Sequence, residues 1–342
     1  MNIKSTTLSI LLALTACLGC QAATITPSKN YVTKKVSAEA FTSIRTYTAL
    51  DVEYTVGARS VEVYAPDNLI DYIKISVANG ELRISYKEDM NIRGDHKSVV
   101  RVSAPEVSEF TTSSAGDITI KSPIKLKNAH VKLTAMSAGD IKAQDIEAAS
   151  VRLMTNSAGD IVARNIKADE AKLVTNSAGD IEAECIAVKD KAEISSNSAG
   201  DIEVEEVVAG KSVKASANSA GDIEIDAMNT SSASLSANSA GDIKAKNLKA
   251  NDVRANASSA GKVTMTGNCA TAELEANGHG DINASSLKAN HVTATARSIG
   301  SITCNALQSL NASRYGRGSI KWAGNPSDVT IEDPKGNGVT KL

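Results

Sequence analysis

The chain has 342 residues, with 37 Lys and Arg against 39 Asp and Glu, for a formal net charge of -2. No basic stripe with interleaved aromatic residues accompanies that balance, which argues against nucleic acid as a partner. Aromatic residues are scarce, one Trp, seven Tyr and two Phe, and none lies between Phe110 and Tyr315. A core of that length without a ring must be narrow and filled by small aliphatic side chains.

The N-terminus reads as an export signal over residues 1–22. Lys4 precedes the apolar stretch from Leu8 to Leu14, and the small residues Thr15 and Ala16 precede Cys17. Two ends are open to this signal. Leu14-Thr15-Ala16-Cys17 has the form of a lipobox, with a signal of 1–16 and Cys17 as the acylated residue of an outer-membrane or surface lipoprotein. Cleavage after Ala22 or Ala23 would instead release a soluble periplasmic or secreted protein. The apolar stretch is too short to span a bilayer, and no later one is long enough, so lipid is the only expected membrane attachment. Beyond the signal, Cys185, Cys269 and Cys304 remain. An odd number at unrelated spacings argues against a disulfide framework and a zinc site, and favours buried small apolar residues.

Residues 28–110 alternate as strands without repeating and form an expected N-terminal β cap. Val52, Tyr54 and Val56, then Ile73, Ile75 and Val77, then Leu82, Ile84 and Tyr86 are separated by polar residues. Asn79-Gly80 reads as a tight hairpin turn. The charged stretch Glu88 to Lys97 reads as a loop.

Residues 111–326 are a repeat array. Glycines recur at Gly116, Gly139, Gly159, Gly179, Gly200, Gly221, Gly241, Gly261, Gly280, Gly300 and Gly318, mostly within Ser-Ala-Gly-Asp-Ile. An Ile or Val follows each by two residues, a small or apolar residue by four, and an apolar residue by seven in most, from Ile146 to Leu307. A further set precedes the next glycine by eight, six and four residues, as in Val151, Leu153 and Thr155. Period two, three times in about 20 residues, specifies three short strands per coil. Such coils cannot bury their own apolar residues. Stacked about 4.8 Å apart they close a continuous core, giving an all-β, right-handed parallel β-helix with a rod about 50 Å long. Each corner glycine is expected either to take a positive φ or to pass close to its neighbour, with the adjacent Asp capping turn amides. Residues 327–342 are left as a C-terminal tail.

The recurring Ser-Ala-Gly-Asp-Ile, Asn79-Gly80-Glu81-Leu82-Arg83-Ile84 and the closing segment from Gly318 to Pro326 resemble the "putative auto-transporter adhesin, head GIN domain" family of Bacteroides-type bacteria. The resemblance spans about Phe41 to Pro326. It implies a β-helix and a cell-envelope location, and it transfers no reaction, no established ligand and no site residues.

Function is read as non-catalytic adhesion, scaffolding or ligand binding, toward an unknown envelope or extracellular ligand. The alternatives are a β-helical carbohydrate-active enzyme and an inert structural spacer. An enzyme needs a carboxylate cluster with a basic residue breaking the repeat, whereas His96, His130, His279 and His291 are scattered and carboxylates recur at equivalent positions. No catalytic residue is assigned, and no cofactor is expected apart from Ca²⁺. Asp180, Glu182 and Glu184, Asp201, Glu203 and Glu205, and Asp222, Glu224 and Asp226 stand at outward positions of three successive coils. In register they form an acidic face whose neighbours repel by about 0.9 kcal/mol per pair in water. That face is either simply solvated or a seat for Ca²⁺ or a basic partner.

Overall fold

The computed structural model describes residues 23–88, 90–334 and 336–342. The expected signal and Cys17 lie outside the described residues.

Alternation translates directly into coils. Between one corner glycine and the next the chain runs as one bent strand, as in Ile181–Ser196, Ile202–Ala217 and Ile223–Ala237. In the first of these Ile181, Ala183, Ile186, Val188, Ala192, Ile194 and Ser196 are buried. Their alternation slips phase at Cys185 and again at Lys189 to Lys191, so the chain turns twice and three straight runs result. Strand pairing survives both turns, which is why the three expected strands merge into one.

Successive coils pair in parallel with equivalent residues matched, Ile181 to Ile202 to Ile223 and Ile186 to Val207 to Met228. Each inward position thereby becomes a column of like side chains along the rod, and every fully buried aliphatic member contributes about 2 kcal/mol by leaving water. One expected member is absent from its column. Leu307 is 43% exposed while Ala306 is buried, because pairing shifts between Ala284 and Lys288 and carries the short coil out of phase.

The N-terminal end closes differently. Ser43–Thr46 and Asp51–Val56 form a coil held between Glu81–Tyr86 with Val99–Ala104 on one side and Glu109–Thr112 with Ile118–Ile120 on the other. Ser60–Pro66 then pairs antiparallel with Val99–Ala104, and Tyr31–Val36 pairs antiparallel with Ser60–Pro66. This reversal ends the parallel stack. Tyr54 and Phe110, both fully buried, meet edge to face at 5.0 Å between centroids, and the Tyr54 hydroxyl donates to the Ala104 carbonyl at 2.8 Å. Asn79 and Gly80 take φ of 54° and 75°, the conformation a two-residue hairpin turn demands.

Two expectations about irregular segments are corrected. Within the stretch read as a loop, Met90–Ile92 is a short strand paired with Ala23–Ile25. The stretch read as a tail continues the stack, with Asp328–Glu332 on Ser301–Arg314 and Val339–Lys341 on Ser319–Ala323. Arg314 sits where the coils before it carry Ala296 and Ala276, and it is 7% exposed. Its guanidinium donates to Asp333 Oδ1 at 2.8 Å and to the carbonyls of Gly316, Gly318 and Gly336. A charged plug therefore terminates the alanine column at the C-terminal end.

Candidate functional site

The corner bearing Ser-Ala-Gly-Asp is the most repeated chemical group, and its geometry explains the repetition. None of the eleven corner glycines takes a positive φ. A Cβ on Gly139, Gly159, Gly179 or Gly200 would instead overlap the carbonyl oxygen of the glycine one coil below. Of the two expected reasons for glycine, close approach is the operative one. Asp behaves as a ladder: Asp140, Asp160, Asp180, Asp201, Asp222 and Asp242 each donate a backbone N–H to the carboxylate of the preceding Asp at 2.7 to 3.0 Å. Burial is the main cause that raises the carboxyl groups of Asp117 and Asp242, near the two ends of this ladder, above the usual range. The repeated Asp is thus engaged in structure.

Two further ladders escaped the sequence reading. Asn156, Asn176, Asn197, Asn218 and Asn238 link amide to amide at 2.8 to 3.1 Å. Inside, Thr112, Thr155 and Thr175 each donate to the corner glycine carbonyl of the next coil at 2.8 to 3.1 Å. From Ala217 to Ala296 that position holds Ala, and the corner changes shape. Gly241, Gly261, Gly280 and Gly300 then donate to the residue three before them, with Ser239, Ser259, Gly278 and Ser298 at φ of 57° to 64°. The carbonyls of Gly241, Gly261 and Gly280 turn to accept the next coil's N–H. With no hydroxyl inside, the carbonyl finds its partner along the stack. Gly159, which follows Ala135, keeps the first shape nonetheless.

The nine predicted carboxylates come together on one face. Glu182, Glu203 and Glu224 are matched across adjacent strands, and with Glu184, Glu205 and Asp226 they line a shallow cleft of about 430 Å³ floored by Ala183 and Val204. Cations border it at both ends. Arg164 lies 3.9 Å from Glu184; Lys246 pairs with Glu224 and, at 2.8 Å, with Asp226. Hydrogen bonds from Lys246 are the first cause that holds the Glu224 carboxyl below its usual range, against a smaller effect of burial. Asp180, Asp201 and Asp222 belong to the ladder and offer the face one oxygen fewer. Among the described residues no three His, Cys, Asp or Glu side chains converge enough to hold a metal ion. Strand faces spread these carboxylates into columns rather than wrapping them around a point.

The remaining candidates are dispersed. His130 and His291 hydrogen-bond to Ser150 and Ser309 on neighbouring coils, at 2.6 and 2.9 Å, on exposed strand faces, and His96 meets the Tyr86 hydroxyl in the cap. All three described cysteines are free thiols. Burial pushes Cys269 up to about 11 and Cys304 up to about 12, far from thiolate reactivity.

Among curated proteins none shows significant sequence similarity to the chain. Solved structures to which the chain is similar include a "putative adhesin" from Parabacteroides distasonis, 15% identical over 88% of this chain and 100% of that one, with a TM-score of 0.48. Another is a "putative adhesin" from Parabacteroides merdae, 17% identical over 93% and 99%, with a TM-score of 0.34. A "putative lipid binding protein" from Parabacteroides distasonis is 18% identical over 94% and 100%, with a TM-score of 0.35. Residues 40–228 and 206–326 both match one family, so the chain belongs to the "putative auto-transporter adhesin, head GIN domain" family.

Proposed function

We propose that this protein is an exported, non-catalytic envelope protein, held by lipid at Cys17, that binds a partner through the flat lateral faces of its rod. The observation that carries the reading is the register that sets Glu182, Glu203 and Glu224 in one column and Glu184, Glu205 and Asp226 in another. Side chains displayed at coil spacing suit an extended, repetitive or basic partner, because recognition is spread over many equal contacts rather than focused on one reacting bond. Family membership supports an adhesion or ligand-binding role at the cell surface.

Three measurements test it. The purified mature protein should bind a basic polymer such as poly-lysine with an affinity that falls steeply with salt, and Glu182→Lys with Glu203→Lys should weaken that binding about tenfold. Equal binding by the double variant, or release of reducing sugar from envelope polysaccharide, would overturn the reading. Cys17→Ser should move the protein from membrane to soluble fractions; unchanged fractionation would remove the anchor.

A further inference from the structure

The coils are not equally long, and the inequality makes a recess. From the first inward residue of the middle run to the first of the last run, the chain passes from Ile124 to Val131, from Ile146 to Val151, from Ile166 to Ala171 and from Ile186 to Ala192. The second and third of these corners are the short ones. Extra residues bulge out at Lys127 to Ala129 on one side, where pairing slips between Leu126 and His130. On the other side the coil of Lys189 carries one more residue, and pairing slips between Ala168 and Glu170. The two short corners therefore lie in a saddle of about 430 Å³.

Its floor is apolar: Ala148, Ala168 and Val188 close it from inside, while Ala187 and Val208 face it from outward positions. Its rim is cationic, with Lys127, Lys167 and Lys189 against Glu147 and Asp169. Glu147 lies 3.6 Å from both Lys127 and Lys167, and Asp169 lies 4.0 Å from Lys189. Those separations exceed normal hydrogen-bond length, so the ammonium groups keep donors for an incoming anion. The outward column that crosses the recess changes from Glu147 and Lys167 to Ala187 and Val208. Charge therefore gathers at one end and apolar surface at the other, over three coil spacings or about 14 Å.

We infer that this saddle is a binding site for a single-chain organic anion with an acyl tail, its carboxylate between Lys127 and Lys167 and its chain laid along the rod past Ala187 toward Val208. A cavity of this size lies within the range of small-molecule sites. No aromatic ring lines it, which disfavours a sugar, and the excess of ammonium over carboxylate disfavours a cation. The site goes beyond the proposed adhesion role, since it lies on another run of the coil and would fill whether or not the acidic face binds.

The test is calorimetric titration of the full mature protein with dodecanoate below its micelle concentration. Dodecyltrimethylammonium serves as the head-group control, acetate as the tail control, and phosphatidylglycerol vesicles as the membrane control. Dodecanoate should bind saturably at one per chain while acetate and the trimethylammonium do not. Ala187→Tyr, which fills the recess from an outward position, and Lys127→Gln with Lys167→Gln should each weaken binding about tenfold. Unchanged melting temperatures would show that the variants fold; should Ala187→Tyr fail to fold, the lysine pair decides. Absence of saturable heat, undiminished binding by the lysine pair, equal binding of the trimethylammonium, or binding to vesicles alone would each overturn the site.

Discussion

At the scale of a residue, one-position shifts along a coil separate core from surface completely. Ile202 is fully buried between Ile181 and Ile223, whereas Glu203 is exposed between Glu182 and Glu224. Ile202→Asp should therefore cost at least about 3 kcal/mol in urea unfolding, as an unpaired charge enters three stacked aliphatic rows. Glu203→Lys should change stability by no more than about 0.5 kcal/mol, and relief of like charge makes a small gain the expected sign. Equal damage from the two would contradict the register. Arg314 obeys a different rule, since its side chain and that of Asp333 are each only 8% exposed. Arg314→Met removes one partner of a buried carboxylate, which keeps the Gly338 N–H, and the donor to three glycine carbonyls, and should cost about 3 kcal/mol by the same measurement.

At the scale of an element, the strands were legible because burial writes period two into them, and the corners were legible only in part. Gly and Asp announced that a corner was there. They did not say which shape it would take: Asn197-Ser198-Ala199-Gly200 and Asn238-Ser239-Ala240-Gly241 have the same letters, yet only the second puts its serine at positive φ. The residue before the motif, inside the core, differs between the two, since Thr175 supplies a hydroxyl to the coil of Gly200 and Ala217 supplies none to that of Gly241. It does not decide the shape by itself, because Gly159 follows Ala135 and keeps the first shape. The plug at Arg314 was equally hidden, because Asp333 and Gly336 meet it only after the last coil closes. Carboxyl groups on these elements should titrate in two directions in a carbon-detected NMR pH series. Asp117 and Asp242, raised chiefly by burial, should lose protons above the usual Asp range. Their contribution to stability is present at low pH and lost as pH rises through their folded values. Glu193 and Glu224, lowered first by hydrogen bonds from Lys172 and Lys246, should titrate below the usual Glu range. Their stabilisation is present at neutral pH and lost as pH falls through those values, and exposure keeps it small.

At the scale of the whole molecule, the rod is a sum of neighbours between two unlike ends, an aromatic antiparallel cap and an arginine plug. The acidic face spans only three of its coils and is fixed by strand geometry, so it should respond to ions as a screened charge lattice. At matched ionic strength CaCl₂ and NaCl should raise the melting temperature equally; a reproducible excess with Ca²⁺ would instead show a bridging site between coils. Because each coil touches only the one above and the one below, coil number is a free variable of this architecture. Deletion of residues 201–221 joins Gly200 to Asp222 and leaves Ile223 to settle on Ile181, like upon like. The product is a rod shorter by one step of about 4.8 Å, with its cap and its plug unchanged and Asn229 in the place of Val208 at the end of the saddle. In such a protein reach is set by counting, and a genetic gain or loss of one repeat alters how far the molecule extends without rewriting how it holds together.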